Sequence, residues 1–369
     1  MAILTVNAGS SSLKLRLVGD GDEILAEQEL DAPQARVDDD ALGRALAGAL
    51  DGADAVAHRV VHGGERYVAA TIIDDEVRLG LQELTDLAPL HQPKSLAALN
   101  AVSGWLPGVP AVACFDTAFH TTLPAAAATY ALPERWRERW GLRRFGFHGL
   151  SHSWVARRAA ELLTAGGSPS RVVSCHLGAG ASLCAIDAGR SIDTTMGFTP
   201  LDGLVMATRS GSVDPGLLLW LLEREAVSER RMAAALEHES GLAGLTGTAD
   251  MRAVLSRADA GDEKADLAVD VYVHRLRAGI AGMAAALGGI DALIFTGGVG
   301  ENNPAIRARA AAGLGFLGVR LDAGANDGAI PDVEISSPGA AVRTLVLRAR
   351  EDLEMARQAR AVLGRPPHP

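Results

Sequence analysis

The sequence predicts an α/β protein of two duplicated domains around a cleft, and three observations carry that prediction. At 369 residues the chain exceeds one ordinary core. Strand-like apolar runs alternate with helical stretches in both halves. The pattern that opens the chain, strand, small-residue turn, strand, returns at Arg171.

That first pattern is ILTVNAGSSSLKLRLV, residues 3–18. Apolar runs at 3–6 and 13–18 flank NAGSSS, the ordinary signature of a β-hairpin. The turn also exposes hydroxyls and small-residue backbone N–H groups together, a combination that can wrap a phosphate. Lys14, one of only three lysines among 35 basic residues, sits one step past it, after Leu13.

The remaining elements follow in order. A further strand precedes an Ala/Leu-rich helix at 41–50, with Asp38 to Asp40 available to cap it. AVAHRVVHGG (55–64) reads as a strand ending in a glycine turn. Pro93 opens a helix running through 99, and PAVACFDT (110–117) is a buried strand running into Asp116. Residues 117–133 carry His120, Pro124, Pro133 and several threonines and read as loop; helices follow at 133–140 and 151–163. RVVSCHLGAGASLCAI then repeats the opening hairpin. Helices are predicted at 215–225, behind Asp214, and at 262–287. The last α/β segment has the strand ALIFTGG (292–298), a helix at 304–313, a strand at 342–347 and a helix from Glu351.

Composition narrows the function. Apolar content of 48% with 22% charged residues describes a soluble globular chain. A net charge of −10 argues against nucleic-acid and anionic-membrane partners, so an anionic substrate needs local arginines. No basic region followed by an apolar run opens the chain, and the uncharged stretch 278–290 is too short to span a bilayer. Cys114, Cys175 and Cys184 have neither a disulfide framework nor metal-ligand spacing. A cytoplasmic protein is expected.

Several residues stand out chemically. Asp116 ends a strand, where open α/β sheets place functional groups, though an aspartate capping a turn looks the same. Arg59 lies among valines and needs a buried anion. FGFHGLSH puts His148 and His152 four apart, but Gly149 breaks that turn and no third metal ligand is near. Arg209 sits in a Ser/Gly turn before a proline-started helix. FTGGVGENN (295–303) is a strand entering a glycine turn, by itself a weak nucleotide signal.

Taken in order, NAGSSSLK, HRVVHGGE, FDTAFH, FGFHGLSH, HLGAGAS, DTTMGFTPLDGL, TRSG, DMR and FTGGVGEN resemble the acetate kinase family, from residue 3 to about residue 357. The resemblance implies membership of the acetate and sugar kinase/Hsp70/actin superfamily, with two duplicated actin-like (ribonuclease H-like) α/β domains. Their expected bounds are 1–120 plus 353–369, and 121–352, the second carrying the nucleotide side and the dimer interface. It implies reversible Mg²⁺-dependent phosphoryl transfer between ATP and acetate, giving acetyl phosphate and ADP, with Mn²⁺ as an alternative metal and a homodimer as the assembly. Asn7 and Glu351 are similar to the family's magnesium-site residues. Ser10, Ser12 and Lys14 match its phosphate side, and Arg59 and Arg209 the arginines holding carboxylate and phosphoryl group. Asp116 matches the active-site aspartate and His148 the transition-state histidine. Val61, Leu90, Phe147 and Pro200, with His91 beside them, match the pocket for the methyl group. The ATP-contacting loops correspond to His176, Leu177, Gly178, Ala179 and Gly180; to Asp250, Met251 and Arg252; and to Gly298, Val299, Gly300, Glu301 and Asn302.

The chain departs from the pattern in places. Ala179 stands where the family has Asn, so the backbone N–H groups of Gly178 and Gly180 are expected to do the cradling. Ala207 replaces a glycine, Ser212 an aspartate, and RAREDLEMAR lacks an Asn before its first Glu. Three alternatives remain: a propionate or butyrate kinase, a variant using another phosphoryl donor, and an ATP-gated binding protein of the Hsp70/actin type. The last needs a client-binding or polymerising segment, for which no stretch after residue 363 serves.

Overall fold

The computed structural model describes residues 1–9, 12–32, 38–48, 50–87, 92–163, 171–224 and 227–364. The chain divides into two compact units. The first comprises Met1–Thr121, Phe147–Trp154 and Arg350–Pro369; the second comprises Thr122–Gly146 and Val155–Ala349. Residues 147–154 thus group with the first unit, where the sequence reading had assigned them to the second domain.

In the first unit the strands are β1 (Ile3–Ala8), β2 (Ser12–Val18), β3 (Ile24–Asp31), β4 (Ala55–Val60), β5 (Thr71–Ile72) and β6 (Ala111–Phe115). They form one sheet of order β3-β2-β1-β4-β6-β5. β1, β2 and β3 are an antiparallel meander, and β4 and β6 add in parallel to β1. Period-two patterning decides the faces: Leu13, Leu15 and Leu17 of β2 are buried while Lys14 and Arg16 point the other way. The buried face packs Leu4, Val6, Leu13 and Leu15 against Leu42 and Leu46 of the helix Asp39–Ala47 and Val102 of the helix Gln92–Trp105. Each such leucine contributes about 1.5–3 kcal/mol of burial.

The second unit repeats this plan with β7 (Arg171–Leu177), β8 (Ala181–Asp187), β9 (Arg190–Thr194), β10 (Ala292–Thr296), β11 (Val333–Glu334) and β12 (Arg343–Val346). Its order, β9-β8-β7-β10-β12-β11, matches the first sheet strand for strand, with β7, β10 and β12 parallel. The duplicated actin-like α/β fold is therefore present. The helix Glu263–Leu287 covers this sheet through Ala268, Tyr272, Leu276, Ile280 and Met283, at three- and four-residue spacing. Asp262 caps it by accepting from the N–H groups of Lys264 and Ala265, and Gly288 at φ +67° ends it in the left-handed conformation.

Some elements differ from expectation. Asp38, of the three available aspartates, caps the first helix, accepting from the Ala41 N–H. The helix expected to end at 99 continues to Trp105. The segment read as loop at 117–133 contains the short helices Ala118–Thr122 and Ala125–Ala128. GGVGEN is a helical turn, Gly297–Asn302, where a glycine turn was expected. Glycine content conceals it, because glycine is a weak helix former; within the segment the Glu301 carboxylate accepts from the Gly297 N–H at 3.0 Å, and from outside it Arg307 donates to the carbonyls of Gly300 and Glu301. No helix among the described residues is long and apolar enough to cross a membrane.

Candidate active site

In the first unit, three neighbouring parallel strands deliver polar groups at their C-terminal ends, where open α/β sheets place ligands. Asn7 lies near the end of β1, Arg59 near the end of β4, and Asp116 one residue past β6. Strand alternation puts Val56, His58 and Val60 on one face of β4 and Arg59 on the other. The guanidinium of Arg59 donates from Nη2 to Oδ2 of Asp116 at 2.6 Å, and its Nε lies 3.1 Å from both carboxylate oxygens. Nη1 donates to the Asn7 carboxamide oxygen at 3.0 Å and lies 3.7 Å from Oε2 of Glu351. Asn7 closes the loop, donating from Nδ2 to Glu351 Oε2 at 3.0 Å. Glu351 is the first residue of the helix Glu351–Val362.

The anion that Arg59 was expected to need is thus supplied in part by the protein. Asp116 is 1% exposed. Burial pushes its carboxyl above the usual carboxylate range, against Arg59, which pulls it down. For Arg59, burial acts to lower the pKa, but Asp116 and Glu351 outweigh it and the guanidinium is raised. Asp116 and Glu351 thus place two carboxylates around one arginine. The donors are oxygens, and among the described residues no group of three or more His, Cys, Asp or Glu side chains could hold a metal ion. Oxygen donors of this kind fit Mg²⁺, which keeps several waters and relies on one or two carboxylates plus substrate phosphates.

His148 precedes the helix that begins at Gly149 and adopts φ +54°, so it does not share a helical face with His152. The Gly149 N–H donates to the Asp116 carbonyl oxygen at 2.9 Å. His148 and Asp116 are thereby held one residue apart through the backbone. Val61 and Phe147 are buried, at 8% and 1% exposure, and the Phe147 ring meets His62 edge-on at 5.6 Å. Leu90, His91 and Ser10 lie outside the described residues. Lys14 pairs with Asn7 across the β1–β2 hairpin and lies 3.8 Å from Glu29, to which the Ser12 hydroxyl also donates, at 2.7 Å.

In the second unit, the 176–180 and 297–302 segments come together. His176 and Thr296 are register partners on β7 and β10. A Cβ on Gly297, at φ +78°, would meet the Leu177 carbonyl oxygen at 2.7 Å, so only glycine permits the approach. The Gly178 N–H donates to the Gly180 carbonyl at 2.9 Å and so closes the hairpin turn. Glu301 is committed to bracing, accepting from the N–H groups of Gly297 and Ala349. Asp250 caps the helix Met251–Asp259 by accepting from the Arg252 N–H at 3.0 Å. Arg209 donates to the Pro200 carbonyl oxygen at 3.3 Å, which joins two predicted site residues.

Sequence reasoning missed two buried residues here. Glu237 pairs with Arg209 at 3.3 Å. Arg307, 1% exposed, donates to the carbonyls of Gly300, Glu301 and Asn326 and so grips the end of the GGVGEN helix. Both sit in helices, and no local signal marks them.

The chain is similar to known proteins along most of its length. A family model described as the acetokinase family matches residues 35–357. An acetate kinase of Shouchella clausii is 40% identical, covering 96% of this chain and 98% of that protein. Among solved structures, Porphyromonas gingivalis acetate kinase superposes with a TM-score of 0.88 at 34% identity, covering 98% of this chain and 99% of that one. A propionate kinase from Francisella tularensis superposes with a TM-score of 0.89 at 33% identity, covering 97% and 98%. With a family model spanning most of its length and relatives matched nearly end to end, the chain belongs to the acetokinase family.

Proposed function

We propose that this protein is an acetate kinase, transferring the terminal phosphoryl group of ATP to acetate, reversibly, to give acetyl phosphate and ADP. The observation that carries the reading is the Asn7–Arg59–Asp116–Glu351 network at the ends of parallel strands, in a chain of the acetokinase family.

Acetate has a pKa of about 4, like an aspartate side chain, and arrives ionised at neutral pH. It needs no base to become a nucleophile. Asp116 is therefore assigned to orienting the metal or the phosphoryl group rather than to taking a proton. One anion attacks another, so the protein must neutralise charge and hold the groups in line. Arg59 and Arg209 are assigned to the carboxylate and the phosphoryl group, and His148 to charge developing in the transition state. Glu351 and Asn7 would hold Mg²⁺, or Mn²⁺ in its place; when bound, it neutralises phosphate charge. Val61, Leu90, His91, Phe147 and Pro200 are assigned to the methyl group of acetate. Ser10, Ser12 and Lys14, with residues 176–180, 250–252 and 298–302, bind the nucleotide.

A second reading, propionate kinase, is favoured by the likeness to the Francisella enzyme. One methylene in an apolar pocket is worth only about 1–3 kcal/mol, so the two activities overlap. For assembly, a homodimer is supported by the helix Pro215–Arg224, which buries none of its residues and exposes Leu217, Leu219 and Trp220. Cytoplasmic residence follows from the choice of ATP and acetate as substrates.

The test is hydroxylamine trapping of the acyl phosphate, with ATP and Mg²⁺ and each of acetate, propionate and butyrate. The strongest hydroxamate signal is expected with acetate. Absence of product from all three acids overturns the proposal, and a higher kcat/KM for propionate selects the second reading.

A further inference from the structure

Glu237 is the one buried residue of the helix Glu229–His238, at 7% exposure. A carboxylate is normally the group a surface helix turns to water, and burying it is costly unless a partner compensates. Its partner is Arg209, whose Nε lies 3.3 Å from Glu237 Oε1.

The backbone around the pair is fastened from both sides. The Ser210 N–H donates to the Leu236 carbonyl at 3.1 Å, and the Thr208 hydroxyl to the Glu237 carbonyl at 2.9 Å. In return, the N–H groups of Ser240, Leu242 and Ala243 donate to the carbonyls of Thr208, Met206 and Ala207. Gly241, at φ +60°, admits this approach, since a Cβ there would meet the Met206 carbonyl oxygen at 2.2 Å. The Pro200 carbonyl holds Nη1, and Glu237 holds Nε.

We propose that Glu237 is the positioning residue for Arg209: its carboxylate fixes the guanidinium through Nε, so the direction of the Nη nitrogens is set before an anionic substrate arrives. Arginine carries several rotatable bonds, and their ordering would otherwise be charged to substrate binding or to the chemical step. The proposal rests on the assignment of Arg209 to the substrate's anionic group.

The experiment is a double-mutant cycle on the full-length protein, with kcat and KM measured for acetate and ATP separately. Glu237→Leu and Glu237→Ala both lack an acceptor and are made in parallel, so that one folded variant suffices. Each is expected to lower kcat by about ten- to a hundredfold and leave KM for ATP within about twofold, the scale of a misplaced catalytic group. Glu237→Gln keeps an acceptor for Nε and is expected to recover kcat to within about fivefold of wild type. In the Arg209→Ala background, removing Glu237 is expected to change kcat by less than about twofold, because the group it positions is gone. Wild-type kcat in Glu237→Leu, with Arg209→Ala crippled, overturns the proposal and leaves the assignment of Arg209 standing. An equal loss in both backgrounds also overturns it, making Glu237 a scaffold residue. Near wild-type activity in Arg209→Ala overturns the assignment of Arg209, and the proposal with it.

Discussion

Gly149 lies against Asp116: its N–H donates to the Asp116 carbonyl oxygen at 2.9 Å, and a Cβ at position 149 would come within 2.1 Å of that oxygen. The glycine thus sets how closely His148 approaches the aspartate. Gly149→Ala puts two effects in opposition. Alanine is the better helix former by about 1 kcal/mol, but overpacking against fixed backbone costs about 1–3 kcal/mol. The steric cost wins because the obstacle is a carbonyl, not a side chain that can swing away. We expect a net loss of stability in urea denaturation, together with a kcat reduced about tenfold or more. A variant with wild-type stability and kcat would show that the backbone relaxes freely and that this spacing does not matter.

Arg59→Ala is expected to damage more than activity. Viewed from the sequence alone, the substitution should leave the fold intact, because the arginine faces a substrate anion. In the structure it holds Asp116 at 2.6 Å and lies 3.7 Å from Glu351. Removing it strands a buried carboxylate, a change that costs about 3–5 kcal/mol in comparable pairs. The prediction is a large fall in kcat/KM accompanied by a lower Tm. Asp116→Asn in the Arg59→Ala background should restore much of the Tm without restoring activity. No change in Tm on Arg59→Ala would mean that Asp116 is compensated by another group.

Acid sensitivity is expected from two histidines of the first unit. His58 is 2% exposed, and neither ring nitrogen has a hydrogen-bond partner. Burial, with Arg78 adding to it, lowers its pKa from 6.5 to about 3; burial lowers His62 to about 4. Between those values and 6.5 the unfolded chain binds protons that the folded one does not. Stability is therefore full above pH 6.5 and is lost as pH falls toward the folded values. Each group contributes about 1.4 kcal/mol per pH unit, or about 2 kcal/mol by pH 5. Urea denaturation at pH 7 and pH 5 measures the loss, and His58→Leu should remove about half of it. An unchanged pH dependence in His58→Leu would show that the ring is already solvated or paired.

What the sequence made legible was whatever is written locally. Alternating leucines in β2, Asp262 and Gly288 at the ends of the long helix, and the returning hairpin at Arg171 each declare themselves within a few residues. Family motifs located Asn7, Arg59, Asp116 and Glu351, but not that they bond to one another, since 344 residues separate Asn7 from Glu351. Glu237 and Arg307 stayed hidden for the same reason. Glu237 pairs with a residue in another segment and Arg307 with backbone carbonyls that no pattern announces, and a charge on a helix looks solvated until its neighbour is known. The helical GGVGEN segment was misread because glycine is a poor helix former and part of what secures the turn lies outside it, in the Ala349 N–H that Glu301 accepts and in Arg307 on the Gly300 and Glu301 carbonyls.

The last prediction concerns Ala179, at the exposed tip of the β7–β8 hairpin. Its carbonyl accepts from the Ala207 N–H at 3.1 Å, so the tip is anchored to the segment leading to Arg209. The Gly178 N–H is spent within the turn, on Gly180, and does not compensate for the amide side chain that the acetate kinase pattern carries at 179. Restoring that side chain adds at most one net hydrogen bond, worth about 0.5–1.5 kcal/mol, or roughly two- to tenfold in affinity. Alanine to asparagine at an exposed tip introduces no clash that would offset it. Ala179→Asn should therefore lower KM for ATP several-fold and leave KM for acetate nearly unchanged. Steady-state kinetics with ATP, GTP and pyrophosphate, on wild type and variant, separate the outcomes. An unchanged KM for ATP means that water or a neighbouring side chain already fills the place. Wild-type preference for pyrophosphate over ATP would make the alanine part of a different donor specificity, and a larger shift in KM for acetate than for ATP would remove this hairpin from the nucleotide site.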